Sequence, residues 1–135
     1  MERREFLQTT FLAAGAAVLA GSTGLKAAGG AFPAGVIYTS DNPGKWAGKE
    51  GGHAPKVTVE GSKASIVTPH PMTEKHFIVR HTLVTADGKV LGEKTFVPTD
   101  GKAASSFELP AGQSGNLYAT SFCNLHDFWL TEFTI

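Results

Sequence analysis

His76-Phe77-Ile78-Val79-Arg80-His81-Thr82-Leu83-Val84, then Thr85-Ala86-Asp87-Gly88-Lys89, then Val90-Leu91-Gly92-Glu93-Lys94-Thr95-Phe96-Val97: this stretch decides the fold. Two runs rich in β-branched and aromatic residues flank an Asp-Gly pair, whose tolerance of positive φ suits a tight turn between antiparallel strands. Alternation predicts Phe77, Val79, His81 and Leu83 on one face and Ile78, Arg80, Thr82 and Val84 on the other. Both faces are mixed, so neither side of this strand reads as purely solvent-facing.

Outward from the hairpin, short strands recur at even spacing. Val57–Val59 and Ala64–Val67 precede it, and Ala103–Leu109, Asn116–Phe122 and Phe128–Ile135 follow, with Cys123-Asn124-Leu125-His126 between the last two. Residues 31–52 are rich in Gly, Pro and Ala without an apolar period and are expected to form an irregular arm. No stretch after the leader keeps a helical period for ten residues. About seven short strands of this kind pack naturally as an all-β, antiparallel sandwich of the immunoglobulin-like type. Trp46 and Trp129 are expected to fill its core or line a site.

Composition sets the limits. A chain of 135 residues has room for one ordinary domain, and 41% hydrophobic with 18% charged residues excludes both wholesale disorder and a polytopic membrane protein. Twelve basic residues balance twelve acidic ones, which leaves no basic stripe for a phosphate backbone and argues against nucleic acid as a partner. The lone cysteine, Cys123, cannot form an intrachain disulfide and points instead to thiol or thiolate chemistry.

Residues 1–30 read as an address. Arg3-Arg4 with Phe6-Leu7 stands before the apolar run Phe11–Ala20, and small residues follow around Ala27-Ala28. The pattern resembles a twin-arginine export signal, which implies the twin-arginine machinery as a partner and a periplasmic location, with membrane tethering if the leader stays uncleaved. The apolar run is well short of the roughly 20 residues that span a bilayer.

Chemistry concentrates in five residues. His53 lies in Gly52-His53-Ala54-Pro55, His70 and His76 bracket Pro-Met-Thr-Glu-Lys, and Cys123 and His126 form a C-x-x-H pair. Three residues of separation in a tight turn bring two side chains to one side, where both can meet one metal. Imidazole nitrogen with thiolate sulfur suits zinc, copper or iron, whereas magnesium and calcium want oxygen. Structural zinc is the weaker reading, because such sites close with four ligands and this set offers five. His81 belongs to no motif and reads as a structural or surface histidine.

His70-Pro71-Met72-x-Glu74-Lys75-His76-Phe77-Ile78, Cys123-Asn124-Leu125-His126-x-x-Trp129 and Gly52-His53-x-Pro55 resemble the iron-site motifs of the superoxide reductases, the desulfoferrodoxin and neelaredoxin family. The likeness runs from about Lys49 to Ile135, so residues 31–135 are expected to be one iron-binding domain of the single-iron, neelaredoxin type. It implies one non-haem Fe(2+)/Fe(3+) ion, with His53, His70, His76 and His126 as equatorial imidazoles and Cys123 as the axial thiolate. It further implies one-electron reduction of superoxide to hydrogen peroxide, a small electron-donor protein of rubredoxin or cytochrome type, and a homo-oligomer. The alternative is a non-enzymatic electron-transfer or small-ligand-binding protein on the same site.

Two positions depart from the family pattern. The family usually has Glu-Lys directly before the first histidine, whereas here Lys49-Glu50 is separated from His53 by Gly51-Gly52. Lys49 and Glu50 are the candidates for the anion-attracting and iron-binding roles if that flexible spacer lets them reach the site. Asp127 follows the last ligand where Gly is common, either orienting His126 or standing as an exposed loop acid.

Overall fold

The computed structural model describes residues 32–135, so the leader expected at residues 1–30 lies outside the described residues. Two sheets form the domain. The larger has the order β1-β8-β7-β4-β5 and the smaller β2-β3-β6. The strands are β1 (Ile37–Tyr38), β2 (Lys56–Glu60), β3 (Lys63–Thr68), β4 (Ile78–Thr85), β5 (Val90–Thr95), β6 (Ala103–Glu108), β7 (Asn116–Cys123) and β8 (Asp127–Thr134). All neighbours pair antiparallel except β1, which lies parallel to β8 with Tyr38 opposite Trp129. The expected all-β sandwich is therefore the observed one.

The hairpin that decides the fold forms as expected. Gly88 takes φ +92, and the Thr85 amide donates to the Lys89 carbonyl at 2.9 Å. The alternation within β4 differs from the expected one at its start. A bulge between Ile78 and Arg80 places Ile78 opposite Cys123, so Ile78 is buried on the same side as His81, Leu83 and Thr85. One extra residue in a strand shifts every side chain before it to the other face. Here the shift turns the site end of β4 inward.

The inner faces meet in a core of Ala64, Ile66, Leu83, Leu109, Leu117 and Ala119, with Ile78, Phe96, Ala103 and Cys123 packed toward the site end. The sheets approach closely at Gly92, where a Cβ would come within 2.2 Å of the Phe107 ring. His81 lies in this interior, fully buried. Its Nε2 and Nδ1 are each 2.8 Å from a hydroxyl, Thr68 Oγ1 and Ser105 Oγ, and Thr68 in turn meets Ser121 Oγ at 2.8 Å. These four side chains tie β3, β4, β6 and β7 together, and each is satisfied, as buried polar groups must be. His81 is thus structural and not on the surface.

Within the arm expected at residues 31–52, the described residues 32–52 have more order than their composition suggests. The arm contributes β1, a 3-10 turn at Gly44–Trp46 and a single helical turn, α1 (Glu50–His53). Tyr38 packs on Trp129 at a centroid distance of 5.7 Å, joined by Ala54 and Trp46. The Gly51-Gly52 spacer is not an open link but the middle of α1, closed by a bond from the Ala54 amide to the Glu50 carbonyl at 2.9 Å.

Candidate metal centre

Three segments meet at one end of the sandwich. The helical turn α1 carries His53; β3 runs out through Thr68-Pro69 to His70; and the end of β7 carries Cys123, with His126 in the turn to β8. His76 returns to His70 through a tight turn in which Thr73 and His76 exchange backbone bonds at 3.0 and 3.2 Å. The β7–β8 turn is fastened to that loop by Asn124, whose Oδ1 accepts from the Phe77 amide and whose Nδ2 donates to the Lys75 carbonyl, both at 3.0 Å. Asn124 escaped the sequence reading because its role is to bond backbone, which no spacing reveals.

The result is a ring of donors. His53 Nε2 lies 3.0 Å from His126 Nδ1, His126 Nδ1 lies 3.0 Å from His76 Nε2, and His76 Nε2 lies 2.9 Å from His70 Nε2. Cys123 Sγ sits 3.6 Å from His70 Nε2 and 3.8 Å from His126 Nδ1. All five donor atoms fall within 4.8 Å of one another. A neutral imidazole carries one N–H, so the Nδ1 of His126 cannot satisfy two facing nitrogens, and neither can the Nε2 of His76. A cation at the common centre resolves the conflict. Nitrogens 2.9–3.0 Å apart, as in these three pairs, are close enough for all to bind one ion at metal–nitrogen distances of about 2.1 Å.

Neighbouring groups fix which nitrogen faces in. His53 Nδ1–H donates to the Lys49 carbonyl at 2.9 Å and His70 Nδ1–H to the Pro71 carbonyl, which leaves both Nε2 lone pairs free for the centre. The Trp129 indole donates to the His126 carbonyl at 2.8 Å and its ring lies 5.6 Å from His53. Trp46 meets the His126 ring edge-on at 4.7 Å. Both tryptophans thus fill the core and line the site together.

Electrostatics favours the uncharged imidazoles. Burial pushes His70 down to about 4, with the neighbouring histidines adding to the effect, and burial likewise lowers His53 and His126. Burial raises the Cys123 thiol, against the pull of the Leu125 and His126 amides. A metal would displace that proton, and the two amides would then stabilise the thiolate. His53, His70 and Cys123 are buried while His76 and His126 are half-exposed, so the centre opens to solvent on one side.

Lys49 and Glu50 part company. Lys49 is exposed, and behind the larger effect of burial its charge adds a small push toward neutral His53 and His126 and toward the Cys123 thiolate. Lys49 stands directly before α1, and its carbonyl accepts from His53 Nδ1 at 2.9 Å. Glu50 is turned off the ring. Its Oε1 accepts from the Gly48 amide at 3.0 Å, which holds its carboxyl below the usual range, and it borders a cleft with Ser40, Lys56 and Thr131. Asp127 bonds Trp46 Nε1 at 2.9 Å.

The desulfoferrodoxin family model matches residues 46–132. The chain belongs to the desulfoferrodoxin family. Among solved structures it resembles the superoxide reductase (neelaredoxin) of Ignicoccus hospitalis, at 31% identity and a TM-score of 0.62 over 73% of this chain and 93% of that one. It also resembles the superoxide reductase (1Fe-SOR) of Giardia intestinalis, at 28% identity and a TM-score of 0.56 over 62% of this chain and 97% of that one. The superoxide reductase of Treponema pallidum matches at 32% identity and a TM-score of 0.52, over 63% and 69%. No curated protein matches the chain. With four imidazoles and one thiol, the desulfoferrodoxin site fits a single non-haem iron.

Proposed function

We propose that this desulfoferrodoxin-family protein is a superoxide reductase: superoxide takes up one electron and two protons and leaves as hydrogen peroxide. Iron, when bound, supplies the electron, and an external donor protein restores it. The observation that carries the reading is the ring of four imidazole nitrogens closed on its inner side by a buried thiol and open on the other. His53, His70, His76, His126 and Cys123 hold the ion, and the Leu125 and His126 amides steady the thiolate.

Lys49 draws the anion toward the open side. This favours the enzyme over a plain electron carrier, a reading that rests on the absence of a lysine directly before His53. Glu50 serves as a movable carboxylate that must leave the Gly48 amide before it can approach the ion. The twin-arginine pattern at Arg3-Arg4 supports a periplasmic protein exported by that pathway. Mixing the reduced, iron-loaded protein with superoxide tests the proposal. Rapid oxidation with peroxide as product supports it, and inertness would favour the carrier.

A further inference from the structure

Asp127 is the one non-glycine residue with positive φ among the described residues, at +68. A side chain is unfavourable in that region unless something compensates. The compensation is visible 81 residues away in sequence: the Trp46 indole donates to Asp127 Oδ2 at 2.9 Å, and the Lys45 ammonium stands 3.5 Å from the same oxygen. The ion pair is exposed and weak, whereas the indole bond is directional and partly buried.

The bond opens a chain of contacts that ends at the centre. Trp46 packs edge-on against His126 at 4.7 Å, and its carbonyl accepts from the Lys49 amide at 2.9 Å. The Lys49 carbonyl in turn accepts from His53 Nδ1 at 2.9 Å. The arm bearing Lys49 and His53 is thereby joined to the turn bearing Cys123 and His126. Nothing in the short α1 would hold it there alone, since four residues with two glycines make a poor helix.

We infer that Asp127 is a positioning residue: with Trp46 it forms a clasp that holds the arm, and with it Lys49 and His53, against the β7–β8 turn. The role of Lys49 rests on the superoxide reductase reading; the clasp itself does not. Asp127 supplies no donor atom to the ring; it follows His126 and pairs with Cys123 at the start of β8, and its carboxylate reaches the arm through Trp46.

The test uses the iron-loaded full chain with Asp127→Gly, Asp127→Asn and Trp46→Phe. Glycine relieves the backbone but removes the acceptor, while asparagine tolerates positive φ and keeps an amide oxygen for the indole. Amide hydrogen exchange at Ala47, Lys49 and Gly52 is expected to quicken about tenfold or more in Asp127→Gly and Trp46→Phe, and to stay within about threefold of the original in Asp127→Asn. The second readout is coupling. Asp127→Gly should slow the reaction of the reduced protein with superoxide several-fold, and add nothing further when Lys49 is already alanine. Unchanged exchange in Asp127→Gly, exchange in Asp127→Asn as fast as in Asp127→Gly, or additive losses with Lys49→Ala would each overturn the inference. Failure of the unaltered protein to react with superoxide would count against the functional reading, and exchange would still decide the clasp.

Discussion

Lys49 and His53 stand one helical turn apart, and the carbonyl of the first accepts the Nδ1–H of the second at 2.9 Å. Lys49 therefore sets the tautomer of the first ligand through its backbone, while its side chain carries the charge proposed to attract the anion. The two contributions are separable by mutation. Lys49→Ala keeps the carbonyl and loses the ammonium, so the bimolecular rate with superoxide should fall several-fold and lose salt dependence while the visible spectrum stays the same. Exposed charges are screened over roughly 10 Å at ~0.1 M salt. Pulse radiolysis at two ionic strengths measures this, and an unchanged rate would remove Lys49 from the mechanism.

Glu50→Ala probes the other half of the pair. The carboxylate rests on the Gly48 amide and not on the ring of donors. If it moves to the oxidised ion, a harder acid that prefers oxygen, the variant should alter the ferric spectrum and its pH dependence with little change in the first reaction with superoxide. An unaltered ferric spectrum would mean that Glu50 stays on Gly48 throughout.

Cys123→Ser should preserve the sandwich and abolish the thiolate-to-Fe(III) absorption band. Cys123 is fully buried and the two side chains are of similar size, so the stability cost should be about 1–2 kcal/mol. Far-UV circular dichroism and the visible spectrum check both halves. Retention of the band would exclude Cys123 as a ligand.

The metal ligands were legible in the sequence because each sits in a short local motif, His70 with His76 and Cys123 with His126, and a local motif survives in one dimension. The hairpin was legible for the same reason: Asp87-Gly88 and its flanking strands are local. What stayed hidden depends on distant partners. Nothing in Ile37-Tyr38 announces a two-residue parallel pairing with β8, and Gly51-Gly52 argues against the helical turn that Trp46, Lys49 and His53 impose. The bulge before Arg80 is set by the pairing with β7. Asp127 finds its partner in the arm, at a distance no motif encodes.

His81 was legible only as a residue outside the motifs, and its burial makes it a source of pH-dependent stability. Burial holds it down to about 4, with Lys94 adding to the effect, against an ordinary value of 6.5. As pH falls from about 6.5 to about 4 the unfolded chain takes up a proton that the folded one refuses, so stability is lost across that window. The loss is on the order of 3 kcal/mol. His81→Leu should lower stability at pH 7 by about 2 kcal/mol, through the orphaned Thr68 and Ser105 hydroxyls. In the metal-free protein it should also flatten the slope between pH 6.5 and 4. Urea unfolding at several pH values decides; an undiminished slope would contradict the assignment.

Export has its own test. Arg3→Lys with Arg4→Lys leaves the apolar run intact and removes the pair that the twin-arginine receptor reads. The doubly substituted protein should accumulate in the cytoplasm, as fractionation would show. Undiminished periplasmic recovery would assign export to another pathway.

The central claim is tested most directly by counting products. Reduced, iron-loaded protein mixed with a known amount of superoxide, with peroxide and oxygen measured together, should yield one hydrogen peroxide for each superoxide consumed and no oxygen beyond the uncatalysed background. Oxygen released in step with peroxide, or a protein that stays reduced, would contradict the account.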